Sequence, residues 1–141
     1  MLEFKDFGGA YMPYVDIVTA LAILQFIVFG FRVGQARGRY KVAAPAIAGH
    51  EVFERVFRVQ QNTLEQLIAF LPGLYLFSHY WSPYLAAGVG VVYLIGRELY
   101  AYTYVKDPSK REMGFALTAT PVMILLIGGL SGAVRAAWSL H

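Results

Sequence analysis

Cysteine is absent from the 141 residues, which removes disulfide frameworks and thiolate metal sites and leaves the redox compartment unreadable. Any thiol chemistry here must use a thiol carried by another molecule. Charge is scarce as well: Asp, Glu, Lys and Arg make up 15% of the chain, where soluble globular domains average roughly 25%. The three histidines, His50, His79 and His141, are too scattered for a metal motif, so no metal is expected and they are read as interface or terminal residues. GVGVVYLIG lacks the spacing of a dinucleotide fingerprint and lies inside an apolar run rather than after a strand. The formal charge is only +3, and the basic residues are dispersed among apolar runs instead of gathered on one face, which excludes a nucleic-acid binder.

What is present is apolar. Hydrophobic residues reach 57% and aromatics 16%, with a mean hydropathy of +0.50, and that composition suits lipid. The run Tyr14 to Phe31 carries Asp16 alone and is long enough to cross a hydrocarbon core of about 30 Å. The residues before it include Glu3, Lys5 and Asp6 and lack a basic start with a small-residue cleavage site, so a retained helix is expected rather than a removable leader. A basic loop, Arg32 to His50, should follow. A second helix is expected to run through Pro72, which should bend it, to the aromatic turn HYWSP. KDPSKRE separates the third helix from the fourth, in which Pro121 is a further candidate kink. The chain reads as one domain, 1–141, an all-α membrane protein with a four transmembrane helix bundle at about 14–34, 51–77, 84–104 and 110–138. Arg32, Arg37, Arg39 and Lys41 fall in the first loop and Lys106, Lys110 and Arg111 in the third; with four helices these loops share a side, and their basic residues place that side in the cytoplasm. GFRVG and GGLSG set small residues four apart, which permits close helix packing.

The segment FERVFRVQQNTLEQL, residues 53–67, interrupts this pattern. At 100° per residue Glu54, Arg58, Gln61, Asn62 and Glu65 fall within roughly a quarter of the helix circumference, away from Phe53, Phe57, Leu64 and Leu67. A charge at the centre of a membrane helix costs roughly 2.5–3.5 kcal/mol on insertion scales, so the stripe must face the bundle interior or a wet cavity. Mutual neutralisation is one account, since Glu54 and Arg58 are four apart with the acid first and Arg58, Asn62 and Glu65 are close enough to satisfy one another. A path for protons or ions is another. On the third helix Tyr93, Arg97, Tyr100 and Tyr104 lie within about 60° of one another, with Glu98 off the line. Ser109 and Glu112 fit a capping box, which starts the fourth helix at about Lys110 and sets Arg111 in its first turn. A cation at a helix N-terminus is unfavourable unless an anion sits nearby. Arginine forks suit carboxylates, Glu65 suits an ammonium, and a bound thiol beside Arg111 would be favoured as its thiolate.

FERVFRVQQNTLEQ, with VGQARGRYKV before it and VYLIGRELYAYTYVKDPSKR after it, resembles the membrane-associated proteins in eicosanoid and glutathione metabolism, the MAPEG family, and most of the chain is covered. The likeness is greatest to the branch holding microsomal glutathione transferase type two, including its bacterial members. The resemblance implies a homotrimer with glutathione as co-substrate, bound between subunits at the cytoplasmic end. It implies that Arg58, Asn62, Glu65, Tyr100 and Tyr104 contact glutathione from one subunit and Arg37 and Gln60 from its neighbour. Arg55, Arg97 and Tyr93 are supporting residues, and Arg111 is the arginine that stabilises the thiolate. Gln66 stands where several relatives carry a tyrosine, and Gly38 where leukotriene C4 synthase has a second arginine, which argues against specific leukotriene synthesis. The expected activity is glutathione conjugation to lipophilic electrophiles, with reduction of lipid hydroperoxides by the same thiolate. The rival within the family is a membrane lipid-binding scaffold without catalysis.

Overall fold

The computed structural model describes residues 12–140, so the acidic and basic residues before the first helix, and His141, lie outside it. Among the described residues the chain forms four α-helices: α1 (Pro13–Tyr40), α2 (Glu51–Tyr80), α3 (Pro83–Lys106) and α4 (Glu112–Trp138), with a 3-10 turn over Pro108–Lys110. The expected all-helical bundle is therefore present. Two segments, Pro13–Tyr40 and Pro108–Trp138, are long and apolar enough to cross a bilayer by themselves; α2 and α3 carry the polar stripes.

The first loop is shorter than expected. Arg32, Arg37 and Arg39 belong to α1, which continues to Tyr40. Falling hydropathy at Arg32 marks the edge of the apolar segment, whereas the helix ends at Lys41, whose backbone turns left-handed (φ 55°). Val42 N–H closes the turn onto the Arg37 carbonyl at 3.1 Å. His50 then opens α2: its Nδ1 accepts from Val52 N–H at 3.2 Å and its ring stacks on Tyr40 with centroids 4.0 Å apart. Helix α2 runs unbroken past Pro72, and α4 past Pro121. The turn between α2 and α3 reduces to Trp81 and Ser82, the latter capping Leu85 N–H at 3.3 Å. It is pinned to α4 by the Trp81 indole, which donates to the Gly128 carbonyl at 2.7 Å, and by Arg135 over the same ring at 4.7 Å.

A central cluster of Val15, Val18, Phe70, Leu74, Tyr93 and Leu125 holds the helices together. Lipid tails are as apolar as these side chains, so cohesion in a bilayer comes from close van der Waals fit and interhelical hydrogen bonds. Helices α3 and α4 achieve that fit with glycine. A Cβ on Gly114 would lie 2.5 Å from Tyr100 Cα, and one on Gly96 would lie 2.7 Å from the Leu117 carbonyl carbon, so the α3 and α4 backbones touch. The GGLSG stretch is used similarly, Gly132 against Tyr80 and Gly128 against Phe77. GFRVG is not: Gly34 has open space within the chain. Helix α1 is tied to α3 by polar links instead, Gln25 Nε2 to the Leu94 carbonyl at 3.0 Å and Arg32 to Glu98 at 2.6 Å. Glu98 thus serves the face opposite the tyrosine row.

Candidate functional site

Arg97 is fully buried, although it lies on a helix that would be expected to shed its charges. Its guanidinium lies between α2 and α3, with Nη1 donating to Asn62 Oδ1 at 3.0 Å and Nη2 to Thr63 Oγ1 at 2.6 Å. Nη2 also reaches the Val59 carbonyl at 3.4 Å, and the plane covers the Tyr100 ring at 4.5 Å. These contacts set two neighbours. With Oδ1 engaged by the arginine, the Asn62 amide nitrogen turns outward toward Glu65 Oε2, 3.4 Å away. Tyr100, held from below by the cation, stacks on Tyr104 with centroids 5.3 Å apart. Thr63 was not singled out in the sequence because it falls off the polar stripe; its one signal is its place next to Asn62.

Two further arginines flank this buried base. Arg58, four residues before Asn62 on α2, and Arg111, at the start of the helix whose Gly114 abuts the Tyr100 backbone, are both exposed. Among the described residues neither forms an ion pair. Of the accounts the spacing allows, neutralisation of Arg58 by Glu54 does not occur: Glu54 Oε1 accepts from Gly49 N–H at 3.0 Å. The acid-first pair that forms is Glu51 with Arg55. Arg55 is selected because it also reaches the carbonyls of Val105 at 3.2 Å and Lys106 at 3.3 Å, the unpaired acceptors at the α3 C-terminus.

The expected capping box is likewise replaced. Asp107 accepts from both Ser109 N–H at 3.1 Å and Ser109 Oγ at 2.7 Å, so the serine hydroxyl is engaged within the 3-10 turn. Helix α4 begins at Glu112, and Arg111 is its N-cap residue, without a side-chain cap. Arg111 is therefore two positions earlier relative to the helix start than expected, beside the same unpaired N–H groups.

Three expected residues lie elsewhere. Tyr93 sits in the apolar core, stacked on Phe70 at 3.8 Å. Arg37 turns back on its own loop, donating to the Ala46 carbonyl at 2.6 Å and covering Phe53 at 4.7 Å. Gln60 accepts from Gln61 at 3.5 Å and lies against Gly30 of α1, away from the Arg58–Glu65 face. A cleft of about 830 Å³ opens between α1, α2 and α3, and none of the expected site residues lines it. Among the described residues no three His, Cys, Asp or Glu side chains come together as metal ligands.

The fold and this cluster describe a helical membrane protein with a buried arginine–amide–tyrosine base and two exposed arginines, Arg58 and Arg111, that have no ion-pair partner among the described residues. A family model described as MAPEG family matches residues 15–131, and the chain belongs to that family. It is 52% identical over 114 residues to an "Uncharacterized protein" of Synechocystis sp., covering 81% of this chain and 83% of that one. It is 38% identical over 115 residues to the human protein named microsomal glutathione S-transferase 2, covering 82% and 78%. It is 34% identical over 129 residues to rat leukotriene C4 synthase, covering 85% of each.

Proposed function

We propose that this chain is an integral membrane glutathione transferase that conjugates the glutathione thiolate to lipophilic electrophiles and reduces lipid hydroperoxides with the same thiolate. The observation that carries this reading is that Arg58 and Arg111 are exposed, without acidic partners among the described residues, on either side of the Arg97–Asn62–Tyr100 set: Arg58 four residues before Asn62 on α2, and Arg111 heading the helix whose Gly114 abuts Tyr100. Cations without acidic partners suit an anionic ligand, and glutathione supplies two carboxylates and a thiol. The transferase and synthase names of the relatives support the same ligand.

In this reading Arg58 forks onto a glutathione carboxylate. The outward Asn62 amide donates to the ligand backbone, Glu65 receives the ligand ammonium, and the Tyr100–Tyr104 stack forms the wall. Arg111, at the N-terminus of α4, faces the sulfur. A free thiol has a pKa near 8.5 and is only a few per cent ionised at pH 7; lowering it to about 6.5, well within the range that cations and helix N-termini achieve, makes it about three-quarters thiolate. The thiolate then attacks the electrophilic carbon, the leaving group departs with the bonding pair, and no covalent enzyme intermediate forms. Holding the acceptor in the adjoining lipid raises its effective concentration beside the sulfur.

Arg37 and Gln60 do not meet this cluster within one chain, which fits a homotrimer in which each subunit completes its neighbour's site. In this reading the sites lie on the cytoplasmic side of a multi-pass protein, in the inner membrane if the cell is bacterial, a placement that the basic residues around the first and third loops support. The non-catalytic lipid scaffold is the alternative, and one assay separates the two. Purified protein with glutathione should show a thiolate absorbance band and turn over a chromogenic aryl halide, with both reduced at least tenfold in Arg111→Ala. Glutathione binding without turnover of any electrophile or hydroperoxide in a panel would replace the transferase reading with the scaffold.

A further inference from the structure

We propose that the cleft between α1, α2 and α3 binds an anionic phospholipid of the surrounding bilayer, with its phosphate against Arg39 and Lys106 and one acyl chain along the apolar wall. The inference rests on the chain being a membrane protein and is independent of the transferase reading. At about 830 Å³ the cleft is within the roughly 300–1,000 Å³ usual for ligand pockets. Its floor is apolar, formed by Phe29, Ala36, Val56, Val59, Ala101 and Val105. Its rim is basic: Arg32, Arg39 and Lys106 line it with a single acid, Glu98.

Charge decides which amphiphile suits this shape. Glu98 is taken by Arg32 at 2.6 Å. Among the described residues Arg39 and Lys106 have no acidic partner, and Lys106 meets only the Tyr102 hydroxyl and ring. The rim therefore presents two uncompensated cations over an apolar floor at the basic end of the bundle. Cationic pockets between membrane helices are suited to anionic lipid head groups, each basic residue contributing about 1 kcal/mol near the surface. A soluble anion would gain nothing from the floor, and a zwitterionic head group brings a cation of its own. The cleft is also separate from Arg58: at 100° per residue Val52, Val56 and Val59 point roughly 100–180° away from Arg58 and Glu65 on α2.

The test uses the full chain in detergent, with lipid retention read by native mass spectrometry for phosphatidylglycerol and phosphatidylcholine. Phosphatidylglycerol should be retained preferentially, and R39Q/K106Q should bind it about thirtyfold more weakly, the equivalent of two basic contacts. Ala36→Phe, which keeps both cations but fills the floor, should also lose it, and soluble glycerol phosphate should not displace it. Equal retention of the two lipids, or unchanged retention in R39Q/K106Q, overturns the proposal. Both substituted residues are exposed, so the charge variant decides the matter even if Ala36→Phe fails to fold. Because the chain has no native cysteine, Val56→Cys gives a further check: an efficient disulfide between copies through Val56→Cys would make the cleft a subunit interface and also overturn the proposal. Aryl halide turnover, measured in parallel, is expected to survive in R39Q/K106Q.

Discussion

Replacing Arg97 by methionine should separate stability from ligand binding. The guanidinium makes its hydrogen bonds to Asn62, Thr63 and the Val59 carbonyl while fully buried. Thr63 does not depend on it, because its hydroxyl also donates to the Val59 carbonyl at 2.7 Å. Removing the arginine therefore strands one group, Asn62 Oδ1, at a cost of about 1–3 kcal/mol, nearer the low end because Asn62 is only half-buried. Against this, a buried charge is replaced by an unbranched apolar chain of similar reach, a change that is often neutral or stabilising by about 1–4 kcal/mol. The two effects nearly cancel. The thermal midpoint at fixed scan rate should shift by less than about 10 °C. Glutathione binding has no such compensation. The Asn62 amide is free to rotate and Tyr100 loses the cation beneath its ring, so affinity should fall by about 1–3 kcal/mol, roughly 5- to 150-fold in Kd by titration calorimetry. Arg97→Lys, which keeps the charge without the fork, should fall between the two. Unchanged glutathione affinity in Arg97→Met, or a loss of fold, would refute the claim that this buried arginine serves orientation more than cohesion.

Three further outcomes follow from the packing and the caps. Gly96→Ala and Gly114→Ala each drive a Cβ into backbone of the facing helix; each should cost at least about 1–3 kcal/mol in thermal unfolding, and Gly114→Ala should also weaken the thiolate band by shifting Arg111. Gly88→Ala, with open space around it, should instead stabilise α3 by about 0.5–1 kcal/mol. The hydrogen bonds from the Ser109 hydroxyl and backbone N–H hold the Asp107 carboxyl below its ordinary value of 3.8. A depressed folded value means that this contribution is complete above about pH 4 and is lost as pH falls through the lower folded value, so Asp107→Asn should flatten the acid limb of the stability–pH curve.

The helices are legible in the sequence because long apolar runs, breaker-rich turns and polar stripes at 3.6-residue spacing are local signals. The errors share one cause, which is that equivalent local options are decided by distant partners. Glu51–Arg55 and Glu54–Arg58 have the same spacing and order, and the choice between them comes from carbonyls at the end of α3. Asp107 and Ser109 both offer caps, and the carboxylate takes the N–H while occupying the competing hydroxyl. The two helical wheels put Asn62 and Arg97 on polar stripes of neighbouring helices, and the structure joins those two side chains, with Tyr100 under the guanidinium. Thr63 and the lipid-sized cleft were not anticipated, since each depends on how a third helix leans on the other two.

Helices α1 and α2, of 28 and 30 residues, extend about 42 and 45 Å at 1.5 Å per residue, beyond a hydrocarbon slab of about 30 Å. Set across a bilayer, the surplus length would carry the basic turns past the acyl chains into the hydrated head-group zone. In the proposed transferase a water-soluble tripeptide would then enter by diffusion from the aqueous side while a greasy partner arrived sideways from the leaflet. The overhang would let reactants with no common solvent meet at one depth, neither having to leave the phase it prefers.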